Sequence, residues 1–386
     1  MPNGSQLREI PMNTFATPID LVRPLLIAFG AGTVARLAQW AREQGYARPF
    51  VLASSFHAKR LEGLGLGEVA AFTDVVAEPD IPNFEAALAA AQRHRPDLVI
   101  GFGGGSVMDV AKLVAALLGG EQALADVVGP DKVAGRSVGL AQVATTAGTG
   151  SEVGTRALVT DPVSRNKWAV QSRHLLADIA IVDPALMVTV PAQVTAETGI
   201  DAMAHCVEAF TNIKAHPIID AYAIEGTRLV GRYLARAVAD GGDLEARGGM
   251  ALASLYGGIC LGPVNTAGGH AIAYPLGTRH HIAHGAANAV IFPHVLAYNA
   301  PAVPAKTALV LEALGLPASD DPATVLAHTS GFCARLGIDM HMGPRGVPES
   351  DLPAMAEEAF AIKRLIDNNP RPLSSEAILA MYRAAF

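Results

Sequence analysis

The sequence predicts an α/β unit with a mainly parallel sheet, followed by an all-helical unit. Two patterns carry the prediction. Over the first half, short apolar runs alternate with amphipathic helical stretches, which is the layout of strand–helix–strand units. From Pro191 onward helical periods dominate, as in AQVTAETGIDAMAHCVEAFT and DAYAIEGTRLVGRYLARAVADG. A chain of 386 residues is long enough for two domains with large cores. The change of pattern sets their expected extents at 1–190 and 191–386.

Taken in order, RPLLIAFGAG reads as a strand ending in a glycine turn, and TVARLAQWAREQG as a helix stopped by Gly45. PFVLAS is the next strand and FEAALAAAQRHRP the next helix. DLVIGFGGGS is a buried strand running into glycines, and VMDVAKLVAALLG is the helix after it. Between about 138 and 190, VGLAQVATTAGTGSE, RALVTDP, KWAVQS and AIVDPAL read as short strands and loops. No repeat or low-complexity tract interrupts the pattern.

Composition narrows the function. Hydrophobic residues make up 51% and charged residues 17%, so the chain is globular. A net charge of −7 argues against nucleic acid as a partner. No apolar run has the length needed to span a bilayer, and MPNGSQLREIPMNTF lacks the apolar core of a secretory signal. Three cysteines without a CxxC pair fit a reducing compartment, so a cytoplasmic location is expected.

Candidate metal ligands lie in the second half. Asp201 and His205 are four apart in a helical stretch, so both leave one face one turn apart. His270 and His284 follow, separated by a glycine-containing stretch able to turn back. One carboxylate and three imidazoles suit a divalent ion such as Fe(II) or Zn(II), with positions left for a substrate oxygen. A helix-surface Asp–His pair and hydrogen-bonded core histidines are the competing readings.

Three glycine segments could cradle phosphate. Gly30-Ala31-Gly32 follows a strand, but Ser54 and Ser55 stand where a dinucleotide site would carry an acid. Gly103-Gly104-Gly105-Ser106 is the stronger pyrophosphate candidate, because three glycines admit an anion to a helix N-terminus. Asp109 is expected in the first turn of that helix. Thr145-Thr146-Ala147-Gly148-Thr149-Gly150-Ser151-Glu152 alternates hydroxyls and glycines and could hydrogen-bond ribose, phosphate or a carboxamide, or be a polar turn. None ends in the GK[ST] of an ATP-cleaving loop.

GGGSVMDVAK, TTAGTGSE, GIDAMAHCVEAF and H-x₃-Y-PLG-x₆-HG-x₂-N-A, in that order, resemble the iron-containing (group III) alcohol dehydrogenases over nearly the whole chain. The resemblance implies an N-terminal dinucleotide-binding domain, an all-helical C-terminal domain and an active site in the cleft between them. It implies Asp201, His205, His270 and His284 as ligands of Fe²⁺ (Zn²⁺ being the alternative). It also implies NAD or NADP as cofactor. Gly103, Gly104, Gly105 and Ser106 match the pyrophosphate loop, and Asp109 the aspartate after it. Thr145, Thr146 and Thr149 match residues near the nicotinamide, and Lys167 a lysine that reaches the cofactor. Homo-oligomers are expected from the same resemblance.

Two departures follow. Many members carry a histidine where this chain has Tyr274. A phenol can relay a proton but is a poorer base at neutral pH than imidazole. Tyr274 and His280 are therefore the candidate relay groups, with His281, water or the ribose as other routes. Ser54 stands where NAD-preferring members often have an aspartate. Lys59 and Arg60 follow closely, so tolerance of NADP is expected. The resulting expectation is reversible hydride transfer between a nicotinamide and a small alcohol, hydroxyacid or semialdehyde. Arg279, His280 and His281 hint at an anionic substrate, though their facing solvent is the competing reading. Polyol oxidation like that of glycerol dehydrogenase and hydroxyacid–oxoacid transhydrogenation are alternatives, as is a nucleotide sensor without catalysis.

Overall fold

The computed structural model describes residues 17–386 except Arg165. The N-terminal segment expected to lack a signal core lies outside the described residues. Among the described residues, nine strands fall in the first half: β1 (Leu26–Phe29), β2 (Pro49–Ala53), β3 (Ala70–Phe72), β4 (Leu98–Gly103), β5 (Gly129–Pro130), β6 (Gly139–Ala144), β7 (Arg156–Thr160), β8 (Lys167–Gln171) and β9 (Ile179–Val182). Six form a sheet in the order β1-β9-β6-β4-β2-β3, with every pair parallel. β5, β8 and β7 make a small second sheet, and its β7–β8 pair is antiparallel.

Strands β4 and β6 are buried at every position, as expected of a sheet covered on both faces. The covering helices include α1 (Arg36–Glu43), α2 (Ile81–His94) and α3 (Gly105–Leu117). The stretch TVARLAQWAREQG begins with a tight 3₁₀ turn at Thr33–Ala35 before α1, and Gly45 beyond its end takes φ 79°. Val107, Val110, Leu113 and Val114 of α3 pack into the core shared with β2, β4 and β6.

The second half is helical: α4 (Ala192–Thr211), α5 (Pro217–Ala239), α6 (Leu244–Leu261), α7 (Gly268–His280), α8 (His284–Asn299), α9 (Pro304–Ala313), α10 (Pro322–Ala334), α11 (Leu352–Ala361), α12 (Lys363–Ile366) and α13 (Ser375–Ala384). Helix α4 is buried nearly all round, with Ile200, Met203, Val207 and Phe210 in the core it shares with α5, α6 and α8. Burial on all sides explains why its polar side chains must pair with one another or hold a ligand. No described helix is long and apolar enough to cross a membrane.

Topology sets where ligands can sit. The connection leaving β2 runs to β3 on one side, and the one leaving β4 leads toward β6 on the other. A crevice opens at such a switch point, at the carboxyl ends of the strands. Ala53 pairs with Phe102, so Ser54 and Gly103–Ser106 leave neighbouring strands at the same edge.

Candidate metal centre and cofactor cleft

Helix geometry brings Asp201 and His205 to one face of α4. The hairpin of α7 and α8 brings His270 and His284 against them. The reversal between those helices is made by His281, the residue capping α7, at φ 55°, and not by the nearby glycine. Asp201 Oδ1 lies 3.4 Å from His270 Nε2, 3.5 Å from His284 Nε2 and 3.7 Å from His205 Nε2. Four donors at ~2.1 Å around one tetrahedral ion stand about 3.4 Å apart, so these separations fit a shared cation. Asp201, His270 and His284 form the compact set. His205 stands slightly outside it, its ring stacked on that of His270 at 4.7 Å and 19°.

Two further residues complete the site, and neither was singled out from sequence. Glu208, two turns beyond Asp201 on α4, receives His270 Nδ1 at 2.5 Å and the Gly269 amide at 2.5 Å. That bond fixes the tautomer and turns His270 Nε2 inward. Asn288, one turn after His284 on α8, places its amide nitrogen 2.9 Å from Asp201 Oδ1, 3.2 Å from His284 Nε2 and 3.4 Å from His270 Nε2. With His270 neutral, its Nε2, His284 Nε2 and Asp201 Oδ1 offer three lone pairs to the two N–H donors of this amide, a shortfall a cation answers.

The electrostatics agree with a cation site. Burial pushes His284 down to about 3 and lowers His205, keeping both neutral. Burial also raises Asp201, but the surrounding imidazoles outweigh it and hold the carboxyl well below the usual range. His270 is pushed down by burial, yet the Glu208 and Asp201 carboxylates together lift it to about 10, so a bound metal would displace that proton.

The glycine loops meet the threonines. A Cβ on Gly105 would lie 2.6 Å from Thr149 Cγ2, and one on Gly104 3.0 Å from Thr146 Oγ1. The Thr145–Glu152 loop is held at its other side by the helical half, where Gly150 N donates to Ser254 Oγ at 3.2 Å. A Cβ on Gly150 would lie 2.5 Å from the Gly258 backbone. The loop thus links the head of α3 to the helices that carry the ligands. Thr145 Oγ1 is buried there with no hydrogen-bond partner. Ser106 Oγ accepts from the Glu78 amide at 3.2 Å, and Lys167 Nζ contacts the Glu78 carboxylate. Burial lowers Lys167 to about 8. Ser54 Oγ lies 2.9 Å from His57 Nδ1, and Arg60 rests over the Phe56 ring.

Several expectations are corrected. Asp109 lies beyond the first turn of α3, and both its oxygens are engaged inside the protein: Ser151 Oγ donates to one at 2.5 Å and the Leu158 amide to the other at 2.9 Å. It braces the threonine loop with the buried Lys112, whose Nζ donates to Ser151 Oγ and the Arg156 carbonyl, each at 2.7 Å. His280 turns to Asp351, 3.4 Å away, and is not brought to the metal ligands. Arg279 forks onto Glu358 at 2.8 and 2.5 Å, so its charge is matched. Tyr274 does remain at the site, its ring 5.8 Å from that of His284. The Gly30–Gly32 turn serves as a structural corner, with Asp183 accepting from the Val34 amide at 3.1 Å.

Comparison with known proteins matches the two halves separately. Residues 24–184 match the family described as iron-containing alcohol dehydrogenase, and residues 195–386 its C-terminal counterpart. The chain belongs to the iron-containing alcohol dehydrogenase family. It is therefore an oxidoreductase of the alcohol dehydrogenase and aldehyde reductase type. Long-chain-alcohol dehydrogenase 1 of Geobacillus thermodenitrificans is 40% identical over 323 residues, covering 82% of this chain and 81% of that protein. Sulfoacetaldehyde reductase of Bilophila wadsworthia is 35% identical over 324 residues, covering 82% and 83%. The crystal structure of a 1,3-propanediol oxidoreductase superposes with a TM-score of 0.89 at 33% identity, over 96% of this chain and 100% of that one.

Proposed function

We propose that this chain is an iron-dependent, NAD(P)-linked dehydrogenase that interconverts a small alcohol and its aldehyde or ketone. Zn²⁺ is the alternative metal. The observation that carries the reading is the convergence of three imidazoles on Asp201 Oδ1, at separations that suit one ion. When bound, a divalent cation there would polarise a carbonyl oxygen, and a reduced nicotinamide would supply the hydride.

The chain's own residues do the rest. Asp201, His205, His270 and His284 would hold the cation, and Glu208 keeps His270 aimed. The open backbone of Gly103–Gly105 and the N-terminus of α3 would receive the diphosphate. Thr145, Thr146 and Thr149 would line the nicotinamide side, and Ser54 the ribose side. Lys167 would reach the cofactor by exchanging its contact with Glu78. Tyr274 would pass a proton to the nascent alcohol, a reading supported by its ring lying beside that of His284 while His280 lies toward Asp351. In this reading residues 1–190 bind the nucleotide and 191–386 the metal and substrate. The enzyme is expected to act in the cytoplasm as a homo-oligomer.

The test is aldehyde-dependent oxidation of NADH or NADPH by metal-free protein reloaded anaerobically with Fe(II) or Zn(II). Turnover should require the metal. His270→Ala should lose both bound metal and turnover while its circular dichroism is unchanged. Turnover by that variant at full metal content would refute the assignment.

A further inference from the structure

Helix α3 is built for an apolar setting: Val107, Met108, Val110, Leu113 and Val114 are all buried. Among them stands Lys112, with none of its surface exposed. Its Nζ donates to Ser151 Oγ and to the Arg156 carbonyl at 2.7 Å each, and lies 3.6 Å from Asp109 Oδ1. Asp109, one turn earlier on the same helix, accepts from Ser151 Oγ at 2.5 Å and from the Leu158 amide at 2.9 Å. The Ser151 hydroxyl therefore joins the two charges, accepting from one and donating to the other.

Three stretches of backbone meet at this pair. Helix α3 begins in the Gly103–Ser106 loop. Ser151 belongs to the Thr145–Glu152 loop. Strand β7 is gripped at Arg156 and Leu158, alternate residues of one strand, and its antiparallel partner β8 begins with Lys167. Apolar packing would hold these stretches together without fixing their orientation, because it is non-directional. Hydrogen bonds to charged groups are short, strong and directional. An ion pair buried this deeply is costly, and apolar residues of similar volume are often as stable or more so. The stability of the fold alone does not account for it.

We infer that Lys112 and Asp109 are positioning residues for hydride transfer: they lock the glycine loop, the threonine loop and the β7–β8 hairpin into one arrangement, and so hold the nicotinamide at reacting distance. This rests on the proposed placement of the nucleotide against those loops.

The probe is the double variant Lys112→Met/Asp109→Asn. It removes both charges together and leaves an amide oxygen for the Leu158 amide, whereas removing one charge would strand the other. Its melting temperature should equal or exceed that of the natural protein, with metal content unchanged. Butanal reduction by metal-loaded enzyme in excess over NADH should be followed in a single turnover by stopped flow. The rate constant should fall about tenfold or more, since a displacement of about 1 Å can cost a hundredfold. Inactive protein would lower the amplitude and leave the rate constant alone. Apart from turnover, NADH bound to the variant should show a shorter fluorescence lifetime, because a loosely held nicotinamide loses its excitation faster. Ser151→Ala keeps both charges and removes the hydroxyl between them. It should move rate and lifetime the same way by a smaller factor, and it is the deciding probe if the double variant does not fold. A changed melting temperature with the rate constant and lifetime of the natural protein would make the pair a prop of the fold and overturn the inference. Natural values in every readout would overturn it as well, and in both cases the nucleotide reading would stand. Natural protein that binds no NADH would sink the nucleotide reading and this inference with it.

Discussion

In the helical half of the cleft, side chains make the site: a carboxylate, three imidazoles, Glu208 and Asn288 converge from α4, α7 and α8. In the α/β half, missing side chains make it. Gly104 and Gly105 lie so close to Thr146 and Thr149 that a methyl group would displace one or the other. The first kind of site fails when atoms are removed, and the second when atoms are added. The two failures should also be separable, because one reads out as metal content and the other as nucleotide affinity.

The largest effect should come from removing one charge in the helical half. Glu208→Gln keeps the shape but weakens the acceptor for His270 Nδ1 and the Gly269 amide. Loss of such an outer partner costs about ten- to a hundredfold in metal affinity. Competition with a chelator, followed by metal analysis, should show that loss while NADH binding to the variant is unchanged. Undiminished metal affinity would mean that Glu208 only packs against Gly269.

Much of this site was legible in the sequence because helical spacing is local. Asp201 and His205 share a face whatever surrounds them, and apolar strands running into glycines mark the turns that lead into α1 and α3. What was illegible depended on long-range partners. Glu208 meets a histidine 62 positions away, and Arg279 a glutamate 79 positions away. Being near the ligands in sequence suggested that Arg279 and His280 face the cleft chemistry; the end of α7 rotates them toward Asp351 and Glu358 instead. Asp109 was placed by its position after the glycines, but its partners Ser151 and Leu158 lie 42 and 49 residues on. The short strands β3 and β5 offered only three and two residues and no alternating pattern.

A smaller effect is expected from adding atoms in the other half. Gly105→Ala sets a methyl carbon 2.6 Å from Thr149 Cγ2 and 2.8 Å from its Oγ1, so the loop or the head of α3 must shift. The KM for NADH should rise about tenfold, since backbone approach to an anion is sensitive to sub-ångström displacement. Metal content should stay at the natural level. A variant that lost metal instead would show that the threonine loop transmits strain to α4, and the contrast between the halves would be less clean than the geometry indicates.

The smallest effect should appear at Ser54, where serine in place of an acid is proposed to leave room for either cofactor. Its Oγ is 2.9 Å from His57 Nδ1, and burial together with Arg60 pushes His57 down to about 4, so no counter-charge from that imidazole is present at neutral pH. An aspartate here would face a 2′-phosphate without screening by His57, while it could accept a hydrogen bond from a 2′-hydroxyl. Ser54→Asp should therefore lower kcat/KM for NADPH several-fold and leave that for NADH level or slightly higher. Added salt should shrink the difference, because the site is near solvent. Equal rejection of NADPH by the natural protein would mean that the glycine edge, and not the residue at 54, excludes the extra phosphate.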